Sequence, residues 1–241
     1  MEQLGLPFIS DFIVGSNNQF AYNIAKEFVY ENKYNCIYFY GDVGMGKTTI
    51  VNGITAEIDS YVRAMNIEAF TNSLIDAVRD GKIKQFRNDF MACDVVVFDE
   101  MESIARKIHT QREFHQIVSS LLSEGNRIVM AGTKPPDEIL INDIKLTDLF
   151  NIDAVCELTE PDFEIKRLII EQQAEKSEIV LSAAAVEKLA HEKGSIQELL
   201  NKTIRLVSLK KHIPQENDID LLMNEIIEDN REAVEALARS E

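Results

Sequence analysis

The sequence predicts an α/β fold, a parallel doubly wound sheet followed by a smaller helical unit. Three observations carry this. A glycine-rich loop stands between an apolar run and an amphipathic run. A second apolar run ends in two carboxylates. The alternation of strand and helix patterns then stops near Pro161, beyond which only helical patterns occur. The expected division is an N-terminal arm over 1–10, an α/β domain over 11–160, and a helical lid with an acidic tail over 161–241.

Gly41, Asp42, Val43, Gly44, Met45, Gly46, Lys47 and Thr48 satisfy G-x-x-x-x-G-K-[ST] in a strand–loop–helix context. The spacing follows from the chemistry. Glycines let consecutive backbone N–H groups turn inward around a polyphosphate, and the next helix presents its positive end. Lys47 adds a point charge toward the terminal phosphates, Thr48 supplies a hydroxyl for Mg²⁺, and Thr49 completes the candidate cradle. Downstream, Asp94-Val-Val-Val-Phe-Asp99-Glu100 reads as a buried strand ending in acids. Asp99 would orient Mg²⁺ through its waters, and Glu100 would polarise an attacking water.

The remaining elements are read in order. A helical pattern over 16–31 runs through Phe20, Ile24 and Phe28, and is followed by a strand over 36–40 and a helix to Ile58. A strand with a mixed pattern is expected over 62–67, and helices over 72–78 and 83–90 are separated at Asp80-Gly81. After the strand over 94–98, a helix passes through Phe114, Ile117, Leu121 and Leu122. Short strands over 126–131 and 153–158 complete the sheet. Helices are expected over 162–176, 182–193 and 195–211, with a fourth over 218–229.

Composition bounds the function. With 241 residues, 45% hydrophobic and 27% charged, the chain is an ordinary globular protein. No apolar run approaches the ~20 residues of a membrane span, and the N-terminus lacks a signal peptide's basic start and long apolar stretch. Cys36, Cys93 and Cys156 are widely separated and read as reduced core residues of a cytoplasmic protein. The four histidines show no ligand spacing, so no metal beyond Mg²⁺ is expected. A net charge of −16 makes the chain a poor general DNA binder, because that affinity comes mostly from lysine and arginine on phosphate. The densest cation cluster, Lys202, Arg205, Lys210, Lys211 and His212, reads as a solvated helix end.

From 12 to about 209 the chain resembles the AAA+ module of the DnaA family of bacterial replication initiators. The matching stretches are Phe12-Ile-Val-Gly-Ser-Asn-Asn-Gln-Phe-Ala-Tyr22, the region 70–88, Arg106 to Phe114, Gly132-Thr-Lys-Pro-Pro-Asp-Glu-Ile139 and Gly194-Ser-Ile-Gln-Glu-Leu-Leu200. The resemblance implies an adenine nucleotide, ATP or ADP, packed on a first segment containing Phe12 and Val14. It also places Thr133 at the first nucleotide-sensing position and Gln197 at the second.

Two departures shape the expected role. The family's helix-turn-helix domain for duplex DNA has no counterpart in this sequence, so weak or no direct DNA binding is expected. Gln3, Leu4, Gly5, Leu6, Pro7 and Phe8 look like the sliding-clamp-binding peptide of the family's Hda-like regulatory branch. Such a peptide would anchor by its glutamine while the apolar side chains fill a pocket. The resemblance also exposes missing parts. Thr133 stands for an acidic residue, Gln197 for an arginine, and Lys145-Leu-Thr-Asp-Leu-Phe-Asn-Ile-Asp153 contains no arginine finger. A finger can be worth ~10³–10⁵ in rate. His109 replaces an arginine that holds single-stranded DNA. The expected function is an Hda-like regulator acting on sliding clamp and DnaA. A helicase-loading ATPase, and a single-strand binder using Arg79, Lys82, Lys84 and Arg87, are the alternatives. Oligomeric state is left open.

Overall fold

Strands that are apolar on every residue need cover on both faces, and that need organises the fold. The structure is a computed structural model describing residues 12–212. Gln3 to Phe8 of the clamp-like peptide, and the helix expected over 218–229, lie outside the described residues. The chain divides after Thr159 into two compact units.

The first unit runs α1 (Gln19–Lys26), β1 (Cys36–Tyr40), α2 (Lys47–Glu57), β2 (Val62–Asn66), α3 (Ile67–Arg79), α4 (Ile83–Met91), β3 (Val95–Asp99), α5 (Ile108–Glu124) and β4 (Arg127–Gly132). It continues through β5 (Leu140–Ile141), β6 (Ile144–Lys145), α6 (Leu146–Leu149) and β7 (Ala154–Glu157). Five strands form one parallel sheet in the order β2-β3-β4-β1-β7. Alternate residues feed two separate cores. Cys36, Tyr38, Val96, Phe98, Ile128 and Met130 join α3, α4 and α5. Ile37, Phe39, Val95, Val97, Val129 and Ala131 join α1 and α2. Phe70 of α3 anchors the first core, with ring centroids 5.5 Å from Phe86 and Phe90, 5.7 Å from Phe98 and 6.1 Å from Phe114.

Several boundaries differ from the sequence pattern, each for a local reason. The first helix begins at Gln19, three residues later than its apolar period suggests. Asn18 ties the preceding turn instead, accepting from Gly15 N and donating to Ile13 O. The helix also ends in a π-turn over Glu27–Glu31. The helix expected over 72–78 begins at Ile67, because Asn66 caps it by accepting from Ala69 N. The strand expected over 94–98 is shifted by one residue, and the Asp94 carboxylate accepts from Tyr61 N instead of starting the strand. A small antiparallel pair, β5 and β6, turns at Asn142 and Asp143, both at positive φ, a backbone these residue types tolerate.

The second unit contains α7 (Phe163–Lys176), α8 (Ala183–Ala190) and α9 (Ile196–His212). Asp162 caps α7 through Ile165 N, and Ser182 caps α8 through Ala185 N. Helix α7 packs on both α8 and α9, and Ile170, Leu189 and Leu206 are fully buried.

Candidate functional site

In a parallel sheet the loops at the carboxyl ends of central strands form a crevice where neighbouring strands are not chain neighbours. Here β1 is flanked by β4 and β7, and its carboxyl end runs straight into the glycine loop. Gly41, Gly44 and Gly46 adopt φ of 148°, 80° and 92°, which side chains rarely tolerate. A Cβ on Gly41 would lie 2.1 Å from the Leu158 carbonyl oxygen, so the close approach of β1 and β7 also requires glycine. Helix α2 begins at Lys47 and no side chain caps it. Its first-turn N–H groups therefore face an incoming group without an intrahelical acceptor. A cradle of this shape fits a polyphosphate.

Lys47 is 8% exposed, and its Nζ donates to the carbonyl oxygens of Gly41 at 2.6 Å and Asp42 at 2.7 Å. Burial pulls its pKa below the ordinary lysine value. The charges of Glu102, Asp99 and Asp42 oppose that shift, in that order. Thr48 Oγ1 donates to Asp99 Oδ2 at 3.0 Å, so the last residue of β3 stands against the first turn of α2. Among the described residues, no three His, Cys, Asp or Glu side chains form a metal site by themselves. A cation at the Thr48–Asp99 pair would take further ligands from phosphate oxygens and water.

The structure brings Gly41 to Thr49, Asp99 and Thr133 to the carboxyl edge of one sheet. Gly132, the last residue of β4, pairs in register with Tyr40, the last of β1. Thr133 N donates to Glu102 Oε2 at 2.9 Å, and Tyr38 Oη donates to Lys134 O at 3.0 Å. Glu100 is exposed and at positive φ, and its own N–H donates to Asp99 Oδ1 at 2.8 Å. Phe12 and Val14 precede α1, with the Phe12 ring stacked on Tyr22 at 6.5 Å. Gln197 belongs to the second unit, in the first turn of α9, where it is exposed and its Nε2 donates to Asn201 Oδ1.

Sequence reasoning missed Glu102. The signal was there, because a short helical turn after Asp99 puts a carboxylate three residues later back toward the same edge. Asp153 was read only as a place where an arginine was lacking. Its carboxylate instead accepts from Asn35 N at 2.7 Å and Cys36 N at 3.0 Å, pinning the start of β1. Two of the four cations suggested for single-stranded DNA are already matched. Arg87 makes a paired contact with Glu113 at 2.7 Å and 2.8 Å, and Arg79 meets Asp76 at 3.0 Å and Asp80 at 3.3 Å. All three cysteines are buried and free, and burial pushes the Cys36 and Cys156 thiols up to about 12. No helix among the described residues is long and apolar enough to cross a membrane.

Comparison with known proteins agrees with this architecture. Residues 8–157 match the family described as the bacterial DnaA ATPase domain. The chromosomal replication initiator protein DnaA of Deinococcus radiodurans is 29% identical over 206 residues, covering 82% of this chain and 44% of its own length. The chain thus spans less than half of that curated relative. Among solved structures, domain III of the Thermotoga maritima replication initiation protein DnaA superposes with a TM-score of 0.82 at 26% identity, covering 90% of this chain and 95% of that one. AMPPCP-bound DnaA from Aquifex aeolicus gives a TM-score of 0.76 at 25% identity, covering 85% of this chain and 65% of that one.

Proposed function

This chain belongs to the bacterial DnaA ATPase domain family, and on that premise we propose that it is a nucleotide-switched regulator of replication initiation. The observation that carries the reading is Lys47, a buried cation held by two carbonyl oxygens inside a glycine cradle. Neutral oxygens leave its charge to pair with a phosphate. The ligand is ATP or ADP, with Mg²⁺ at Thr48 and Asp99. Phe12 and Val14 lie at the adenine, and Gly41 to Thr49 and Thr133 lie along the phosphates. The relative from Aquifex aeolicus was solved with AMPPCP, a nucleotide of the same class.

The role of the nucleotide is conformational, with little or no turnover. No arginine occurs over 145–153, and Gln197 stands where the resemblance implies an arginine. In this reading the protein works in the cytoplasm like Hda. It docks on the sliding clamp through Gln3, Leu4, Leu6, Pro7 and Phe8, contacts DnaA through its AAA+ surface, and caps or sequesters DnaA protomers. A net charge of −16 and the ion-paired Arg79 and Arg87 support weak or no direct DNA contact.

The test is a pull-down with clamp and DnaA in ATP, in ADP and without nucleotide. Clamp capture that is lost in the double variant Gln3→Ala with Leu4→Ala supports the reading, and capture indifferent to that change contradicts it. One observation favours a second reading, a helicase-loading ATPase: Asp99 and Glu100 both stand at the end of β3, with Asp99 on Thr48. That reading requires measurable turnover that falls in Glu100→Gln.

A further inference from the structure

A carboxylate outside the phosphate loop ties its neighbourhood together. Glu102 sits in the short helical turn after β3, and its Oε2 accepts from Thr133 N at 2.9 Å. The approach is tight. A Cβ on the adjacent Gly132 would lie 2.9 Å from that same oxygen, 2.6 Å from Tyr38 Oη and 3.3 Å from Met101 Cβ. Tyr38 holds the other side of Thr133 by donating to Lys134 O at 3.0 Å. The exit of β4 is thus clamped from two directions just where Gly132 pairs with Tyr40, one residue before the phosphate loop.

Lys47 closes the arrangement from the other side, donating to Gly41 O at 2.6 Å. Among the charges that act on Lys47, Glu102 ranks ahead of Asp99 and Asp42. Glu100, the carboxylate that the sequence offers for the reaction, has a different setting. It is exposed and at positive φ, and its backbone leans on Asp99.

We propose that Glu102 is a positioning residue of the nucleotide site, holding the Thr133 backbone in register with Gly41 and Lys47 so that the site distinguishes ATP from ADP. This rests on the adenine-nucleotide reading above and deepens it. The lysine of a phosphate loop reaches the β- and γ-phosphates, so the segment clamped beside it is the part of this unit placed to register the terminal phosphate. The contribution is geometric, one hydrogen bond from a backbone N–H to a charged acceptor. A glutamine keeps an acceptor oxygen, whereas an alanine removes it. Glu102 also borders an open cavity of about 710 Å³ beside Arg106, Arg112 and Lys134, so shortening it widens that cavity and leaves no closed void in the core.

The full chain and its Glu102→Ala and Glu102→Gln variants are titrated with ATP and ADP by displacement of a fluorescent adenine nucleotide. The Thr133 amide resonance is followed in the same samples. Glu102→Ala should lower ATP affinity about tenfold, the cost of leaving the Thr133 N–H without its acceptor, and ADP affinity at most about twofold. Glu102→Gln should restore ATP affinity to within about twofold. The Thr133 amide should move upfield in Glu102→Ala without nucleotide. The proposal is overturned if Glu102→Ala leaves both affinities unchanged or lowers both alike, if Glu102→Gln falls as far as Glu102→Ala, or if the amide does not move. A wild-type chain that binds neither nucleotide sinks the functional reading instead, and the amide shift then decides the clamp alone.

Discussion

Lys47 and Lys166 are the buried lysines of the described residues, and they are satisfied in opposite ways. Lys166, in the helical unit, meets the Glu160 carboxylate at 2.7 Å and the Glu192 carbonyl oxygen at 2.8 Å. Lys47, in the sheet unit, meets the carbonyl oxygens of Gly41 and Asp42 and, among the described residues, has no ion pair. A buried charge with a counter-ion is complete within the protein and serves its packing. A buried charge held by neutral oxygens remains unbalanced, and an arriving anion lowers its energy. Desolvation accordingly lowers the pKa of Lys47, and the acids around it offset this only in part. The helical unit uses its lysine as structure, whereas the proposed function gives the lysine of the sheet unit to a ligand.

The sharpest way to break this contrast is to remove each lysine in turn. Lys47→Ala should weaken ATP and ADP binding on the order of 10²-fold, from loss of charge-assisted hydrogen bonds to phosphate. Lys166→Ala should leave both affinities within about twofold by calorimetric titration, since Lys166 already has its partner. Stability should reverse the ranking. Lys166→Ala should cost about 1–3 kcal/mol in urea unfolding, because it strands the Glu192 carbonyl and unpairs Glu160. Lys47→Ala should cost less than that in the ligand-free protein, because it also relieves a buried charge.

Two pH profiles sharpen the contrast further. Lys47 loses its charge at a pH below the ordinary lysine value of 10.5, because burial favours the neutral amine. Nucleotide affinity should therefore fall on the alkaline side before ordinary lysines titrate, and Lys47→Arg should flatten that limb. The smallest effect lies on the acid side. Lys166 holds the Glu160 carboxyl below its ordinary 4.5. Its stabilising contribution is complete above that value and disappears as pH falls through the lowered folded value. Glu160→Gln should remove this slight acid-side slope, read from unfolding midpoints between pH 3 and 6, where exposure of Glu160 keeps the effect well under ~1 kcal/mol.

The sheet and its loop were legible because their signals are local. The run 36–40, the eight-residue loop and the run 94–99 each state their role within a few residues, and the strands fall within a residue or two of the expected positions. The α/β class followed from these runs and the family resemblance from the stretches 12–22, 70–88, 106–114, 132–139 and 194–200, and the match over 8–157 agrees with the resemblance. What escaped was set by a helix cap, by strands too short to show a period, and by side chains reaching across the chain. Asn66 capping α3 moved a helix start five residues earlier than its apolar period. The β5–β6 pair was missed although Asn142-Asp143 between apolar residues is a turn signal, because two-residue strands carry no period. Glu102 and Asp153 were passed over because their partners Thr133 and Asn35 lie 31 and 118 residues away, and only the short turn after Asp99 hinted at the first.

The central claim is that Lys47 waits for the phosphates of an adenine nucleotide, and direct titration of the full wild-type chain tests it most simply. Fluorescently labelled ATP with Mg²⁺ should bind saturably at one site per chain, be displaced by both unlabelled ATP and ADP, and bind Lys47→Ala on the order of 10²-fold more weakly. Absence of saturable binding to the wild type, or equal binding to Lys47→Ala and Lys166→Ala, would contradict the account.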